Sequence, residues 1–549
     1  MNYSSLSRRG ALAAVAGSTV ALAAPGAAGA ATRASAPSAG STVRAASVNQ
    51  LLSELSEGQK LQIAVEEKGS SVGAGLLTDR RMSTGDPYST YGWDTVSAVR
   101  VTDVNRAIAD DPDGFPSAWK GSIAAGPFSN LIEGSGTFGT WSIRLGGSQE
   151  ELFMEVPFDA TLKATPKDGA PVTTAAVTGG SAFLRVRLDL LASPDGEDEV
   201  QLRVATVKAG KVPDVTVTEV TYASPAKDDP QLDSALMTLL QTYFNHNLRD
   251  FRHVFARVSL GQNGTGDLGW LRPTSTAYAY RAGVDDKGNP SLDNSYMGLL
   301  CMTEGRPAGD AEITLGSDAV LPDERAGLNI SVDRMMHKMI IPGLCRRFNA
   351  SPSDFQHHED GSITSDNLQL DPISALGEKY ETKVTYFRVG FAGSQLVMDL
   401  NASIHVAPGH EATVGIGYSL TPRLATQDGK QYIVYEGKEL RRETGMEIAW
   451  WAKVLETVLA VVVAVTTFGV GLLAETVVET MVIMAIGLLT TTALAAPNLL
   501  NGKIVDGLPS IDNLLENATT SIQWANAKEF TVGTVLFDGG LRLGGSYHG

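Results

Sequence analysis

The densest run of metal-ligand types in this chain is His357-His358-Glu359-Asp360. Imidazole and carboxylate are donors that zinc and similar ions accept. Adjacent side chains rarely converge on one ion, and the surrounding SPSDFQHHEDGS reads as an exposed loop, so no metal is expected there. Asp110-Asp111-Pro112-Asp113-Gly114 and Asp195-Gly196-Glu197-Asp198-Glu199 resemble loose calcium loops. Clusters of Pro, Gly and Asp are more often solvated turns. His405 falls on the polar side of a strand pattern and reads as an ordinary exposed residue. From Tyr88 onward there is no G-x-S-x-G elbow, and the chain has no Walker loop, H-E-x-x-H pair or dinucleotide fingerprint after a strand. Its carboxylates are too numerous and too unplaced to nominate an acid and a base. These residues point to a non-enzymatic protein without a cofactor.

Two further groups carry chemistry of a different kind. Arg8 and Arg9 precede the uncharged, small-residue stretch ALAAVAGSTVALAAPGAAGA, and Ala28-Gly29-Ala30 fits an A-x-A cleavage site. That layout is a secretory signal over 1–30, with the paired arginines pointing to the twin-arginine route, which carries folded proteins. The expected location is therefore outside the cytoplasm. Cys301 and Cys345 are the only two cysteines. In an oxidising compartment they could pair, worth about 3–4 kcal/mol by chain-entropy reasoning, or remain buried thiols.

The elements that must position any site follow from periodicity. After an Ala/Ser/Pro-rich linker over 31–47, an N-terminal extension over 48–87 reads as a short helix and a strand. YGWDTVSAVRVTDVNRAIADD places Trp93, Val96, Val99, Val104, Ala107 and Ile108 on one helical face, with Asp94 near the N-terminus and Val101 as a mismatch. From Trp141 the period becomes two. Trp141, Ile143 and Leu145 alternate with polar residues, as do Leu152, Met154 and Val156, and the series Leu184 to Leu190. Leu396 to Val406 and Val414 to Leu420 repeat the pattern. Strict alternation means one dry and one wet face, hence antiparallel sheets. Two amphipathic helices are expected between the strand groups. One uses Met237, Leu240, Tyr243, Phe244, Leu248 and Phe251; the other uses Met335, Met336, Met339 and Ile340.

The run 453–500 is different. Thr457 to Ala474 and Thr480 to Leu500 contain no charge, and each is near the ~20 residues that span a bilayer. Three readings stay open: a helical pair packed inside the protein, a sheltered hairpin that engages membranes, and a permanent anchor. The anchor ranks last, because the alternating KEFTVGTVLFDGGLRLGGSYHG resumes sheet sequence beyond the run. Apolar candidates for ligand contact are Trp93, Trp450, Trp451 and Phe468.

Over 549 residues, 43% are hydrophobic and 19% charged, a globular balance. Net charge of -17, with no basic stripe, argues against nucleic acid and against purely electrostatic docking on anionic membranes.

Three stretches carry a likeness. Thr90-Tyr91-Gly92-Trp93-Asp94-Thr95-Val96 with Val104-Asn105-Arg106-Ala107-Ile108 resembles the opening signature of a clostridial family. Trp270-Leu271-Arg272-Pro273-Thr274-Ser275 and the terminal Leu541-Arg542-Leu543-Gly544-Gly545 are similar to later stretches of it. The family is that of the forty-seven-kilodalton proteins encoded beside botulinum neurotoxin in OrfX-type clusters. The resemblance covers roughly 88–549. It implies the tubular lipid-binding (TULIP) superfamily. The expected fold is α+β and elongated, with long curved antiparallel sheets wrapped around helices and a hydrophobic helical insertion near the C-terminus; two lobes are compatible with it. It also implies lipid or another hydrophobic ligand as partner, with a protein partner in a secreted, toxin-like complex or membrane contact through 453–500 as alternatives. The arginine-led signal and N-terminal extension depart from the family pattern and favour the lipid role over a toxin-accessory one.

Overall fold

Period-two alternation becomes long antiparallel strands. Glu151–Thr165 buries Leu152, Met154, Val156, Phe158, Ala160 and Leu162 while the residues between them face outward. Thr173–Ala192 pairs with it along most of its length. Strands Gln395–Ala407 and His410–Gln427 do the same with Leu396, Met398, Leu400, Val414 and Ile416. Leu145 departs from this pattern and is exposed. The pairing of Ser142–Ser148 with Glu151–Thr165 is broken between Arg144 and Ser148, and the irregularity turns Leu145 out of register.

The computed structural model of the chain describes residues 88–548, apart from 125–130, 167–170, 195–197, 206–212, 225–229, 262–267, 376–377, 408–409, 428–429, 449–510, 512–513, 516–517, 520, 526 and 528. The expectations for 1–30, 31–47 and 48–87, for Arg8 and Arg9, for the acidic turn at 195–197, and for Trp450, Trp451, Phe468 and the run 453–500 lie outside the described residues.

The strands form three sheets. The first orders Pro273–Val284, Pro290–Thr303, Thr95–Arg100, Ala326–Ser331, Gly540–His548 and Glu529–Phe537. The second runs Gln356–His357, Ile363–Ser365, Glu378–Ala392, Gln395–Ala407, His410–Gln427 and Lys430–Ile448, with Leu368–Ala375 also on Glu378–Ala392. The third runs Ala118–Ala124, Leu131–Phe138, Glu151–Thr165, Thr173–Ala192, Glu199–Val204, Ala256–Ser259 and Ile522–Trp524, with two side branches. Among the described residues, the α+β expectation resolves into mostly strands with few helices.

The central strands of the first sheet are dry on both faces. In Pro290–Thr303, Met297, Leu299 and Cys301 join the large core, while Tyr296, Leu300 and Met302 join a second cluster under Leu315, Ala319 and Val320. This corrects the helix expected from Trp93 to Ile108. Thr95–Arg100 is a strand, paired on both sides, and helix α1 is only Val101–Ala109. A strand buried on both faces has no wet positions, so its apolar spacing can imitate a helix. Val101, the mismatch, is buried at the start of α1, with Val104 and Ile108 following on the same face.

Helix α2, Pro230–His246, packs against the third sheet. Its core face is Leu232, Leu236, Leu239, Leu240 and Phe244. Met237 and Tyr243 lie at the margin, and Leu248 and Phe251 belong to the segment beyond the helix. Helix α3, Val332–Met335, passes through a π-helical turn, Met336–Ile340, into α4, Ile341–Phe348. Met335, Met336, Met339 and Ile340 are buried as expected. Phe348 meets Phe387 of the second sheet edge-on at 5.5 Å. None of the described helices is long and apolar enough to cross a membrane.

Candidate functional site: a cleft where turns converge

Several turns and the start of α3 meet around a cleft of about 1380 Å³. The turns are those at Gly92, before the first strand of the first sheet, and at His358 to Gly361. The others are the hairpin turns at Gly393 and at Asp538-Gly539. Gly539 shows why the last is tight: its φ is +62°, and a Cβ there would lie 2.0 Å from the Tyr88 carbonyl oxygen. Ser331, Val332, Asp333, Met336 and His337 from α3 and its π turn close one wall, and Phe391 and Ala392 supply apolar surface.

A buried charge network fixes one wall. Asp94 is 1% exposed. It accepts bonds from the Thr303 amide at 2.8 Å, the Thr303 hydroxyl at 2.9 Å and Arg306 at 2.6 Å. Arg306 also donates to Asp333 at 3.0 Å. Arg334 binds Glu304, which Lys338 also reaches at 2.5 Å, and its guanidinium sits 5.2 Å from the Trp270 ring centre. The lysine and arginine hold the Glu304 carboxyl below its ordinary range, overcoming the opposing effect of burial. Asp94, expected to assist a helix N-terminus, instead ties the first strand to Thr303 and to the start of α3.

The acidic turn is exposed, as its sequence indicated, and it faces the cleft. Its side chains diverge. His358 bonds the Thr364 hydroxyl at 2.8 Å. Asp360 binds Arg388 at 2.7 Å and Ser362 at 2.6 Å. His357 stacks flat on His337, with ring centres 4.4 Å apart and planes within 5°. The His357 imidazole is pulled below its usual value, first by burial and then by the neighbouring His337. On the far side, Asp538 and Asp318 bind Arg542, which is 2% exposed and lies 4.3 Å from the Tyr88 ring centre.

Trp93 reaches the cleft wall but is 4% exposed, with its indole N–H bonded to the Glu312 carbonyl at 2.7 Å. It shapes the wall and belongs to the second core cluster. Of the two alternatives, pairing or separate thiols, Cys301 and Cys345 take the second. Cys301 sits near the end of Pro290–Thr303 in the first sheet and Cys345 on α4, so each is held in a different packed element. Burial pushes the Cys301 thiol up to about 12. In the Asp110 to Gly114 turn, the Asp111 carboxylate pairs with the buried His253 ring at 2.7 Å. His405 is exposed. The Asp94 network and the His337–His357 stack were not legible in the sequence, because their members come from separate elements.

Residues 90–545 match the family model described as OrfX-like, Protein OrfX2/OrfX3/P47. Protein OrfX3 of Paraclostridium bifermentans is 25% identical over 503 residues, covering 83% of this chain and 98% of the relative. Protein OrfX3 of Clostridium botulinum (strain Kyoto / Type A2) is 24% identical over 505 residues, with 83% and 98% covered. The solved structure of P47 from Clostridium botulinum A2 superposes with a TM-score of 0.59 at 16% identity, covering 84% of this chain and 98% of that one. P47 of Clostridium botulinum E1 gives 0.56 at 16% identity, covering 83% and 100%. These two share its fold.

Proposed function

The chain belongs to the OrfX-like family of OrfX2, OrfX3 and P47 proteins, and from that membership we propose that it is an exported, non-enzymatic protein that binds a lipid or similar amphiphile. The TULIP relationship is part of the same proposal. The observation that carries it is the cleft of about 1380 Å³, larger than the ~300–1,000 Å³ usual for small-molecule pockets. Val332, Phe391 and Ala392 offer apolar surface beside fixed polar groups. That combination suits a molecule with an oily part and a head group.

Binding is favoured over catalysis by how the polar groups are spent. Asp94 and Asp333 hold Arg306, Asp360 holds Arg388, and Asp538 holds Arg542. The Ser331 hydroxyl accepts the Arg334 amide at 3.2 Å as a helix cap. Groups committed in this way are rigid contacts and poor proton carriers. The uncharged stretches within 453–500 add oily surface that a water-exposed chain must shelter, and an amphiphile-binding protein has a use for it.

The test is organic extraction of the purified protein followed by mass spectrometry. Bound lipid near one molecule per chain is expected, with roughly tenfold less in Val332→Glu, which places a charge on the half-buried apolar wall. Preparations that are repeatedly empty and take up no added phospholipid overturn the reading.

A further inference from the structure

The flat stack of His337 on His357 joins two parts of the cleft rim. His337 stands in the π turn after α3, and His357 ends Gln356–His357, the edge strand of the second sheet. That strand is held by only two residue pairs, Gln356 to Thr364 and His357 to Ile363. Its neighbours on either side are firm: Phe355 and Ile363 are buried, and Asp360 is anchored on Arg388. The stack is a side-chain contact between the exposed stretch 356–359 and the helix across from it.

We propose that the His337–His357 stack is an acid-released latch that holds this stretch against the cleft at neutral pH and frees it when both rings carry a proton. Two neutral imidazoles, or one neutral and one charged, stack favourably. Two imidazolium ions with ring centres 4.4 Å apart repel. Asp333 relieves part of this repulsion. On the helix, Asp333 meets the His337 Nδ1 at 3.1 Å, but the same carboxylate is already shared with Arg306. On the turn, His358 opposes a proton on His357. The depressed affinity of His357 for a proton agrees with this arrangement. Histidine ordinarily titrates near pH 6.5 and His357 takes its proton below that value, so the doubly charged pair forms only on the acid side of 6.5.

The latch concerns the same cleft as the proposed lipid site, but it is read without any ligand. Its failure and that of the lipid reading are thus distinguishable. Hydrogen–deuterium exchange, corrected for the intrinsic pH dependence of the chemical rate, is followed by mass spectrometry in peptides covering 352–362 at pH 7.5 and 5.5. The wild-type chain is expected to lose protection there several-fold at the lower pH. His357→Phe keeps a flat ring that cannot be charged, and is expected to stay protected at both. His337→Phe serves the same purpose if the first variant does not fold. Equal loss of protection in a folded Phe variant, or unchanged protection in the wild-type chain, overturns the latch.

Discussion

Asp399 illustrates what a single buried charge contributes. It is 0% exposed, and its carboxylate meets Arg441 at 3.3 Å across the second sheet. Gly417 lies between them in register, and the missing side chain lets the arginine reach over the intervening strand. Burial outweighs the arginine and raises the Asp399 carboxyl from 3.8 to about 6. The folded chain then holds this proton more tightly than the unfolded chain does. The contribution is fully present below about pH 4 and is lost as pH rises through 6. A two-unit shift corresponds to about 3 kcal/mol. Denaturant unfolding of wild type and Asp399→Asn from pH 4 to 7.5 tests this. The wild-type advantage is expected to be largest at pH 4 and to shrink by an amount of that order toward pH 7.5. A pH-independent difference would show that the proton does not reside on Asp399. His253 works in the opposite sense: buried to 2% and bonded to Asp111, it resists protonation, so acid weakens the turn it fastens.

At the scale of elements, the C-terminal hairpin is both a sheet component and a cleft wall. Glu529–Phe537 and Gly540–His548 pair through an Asp538-Gly539 turn, and Gly540–His548 also pairs with Ala326–Ser331. Arg542 binds Asp538 at 2.6 Å and Asn329 at 3.0 Å, which locks the turn to its neighbours. At Gly539 the positive φ and the Tyr88 carbonyl leave no room for a Cβ. Gly539→Ala is therefore expected to cost about 1–3 kcal/mol, the range for a strained special backbone position. The companion Gly288→Ala is a control with positive φ but nothing within 4 Å of the added atom, and it should cost less. Thermal unfolding of the two variants checks the ordering; equal losses would mean that the close approach at Tyr88 is unimportant.

At the scale of the whole molecule, the proposed export depends on the first 30 residues acting as a removable signal. Protein recovered from outside the cell is expected to begin just after Ala30, and replacing both Arg8 and Arg9 by Lys should leave the chain inside. N-terminal sequencing and fractionation check both outcomes. Export of the double variant at wild-type levels would exclude the twin-arginine route. Folding before export is compatible with a sheet assembled from distant pieces. Thr95–Arg100 pairs with Cys301 and its neighbours on one side and with Ile330 on the other, and Gly540–His548 extends the same sheet. Such long-range pairing closes slowly.

The amino-acid sequence by itself determined the long alternating strands of the second and third sheets and the buried faces of Met335 to Ile340. It also carried the family motifs at Thr90 to Val96 and at Leu541 to Gly545. Each depends on local period or local residue identity. The tertiary structure decided the rest. Thr95–Arg100 is a strand because partners some 200 residues away pair along both of its edges and two apolar clusters cover its faces, and alternation vanishes when neither face is wet. The cleft exists because turns from distant parts of the chain meet at one place, and Asp94 finds Thr303 and Arg306 only across that sheet. His337 and His357 are ordinary polar residues in sequence. They become a stack because the π turn and a two-residue edge strand bring the rings face to face.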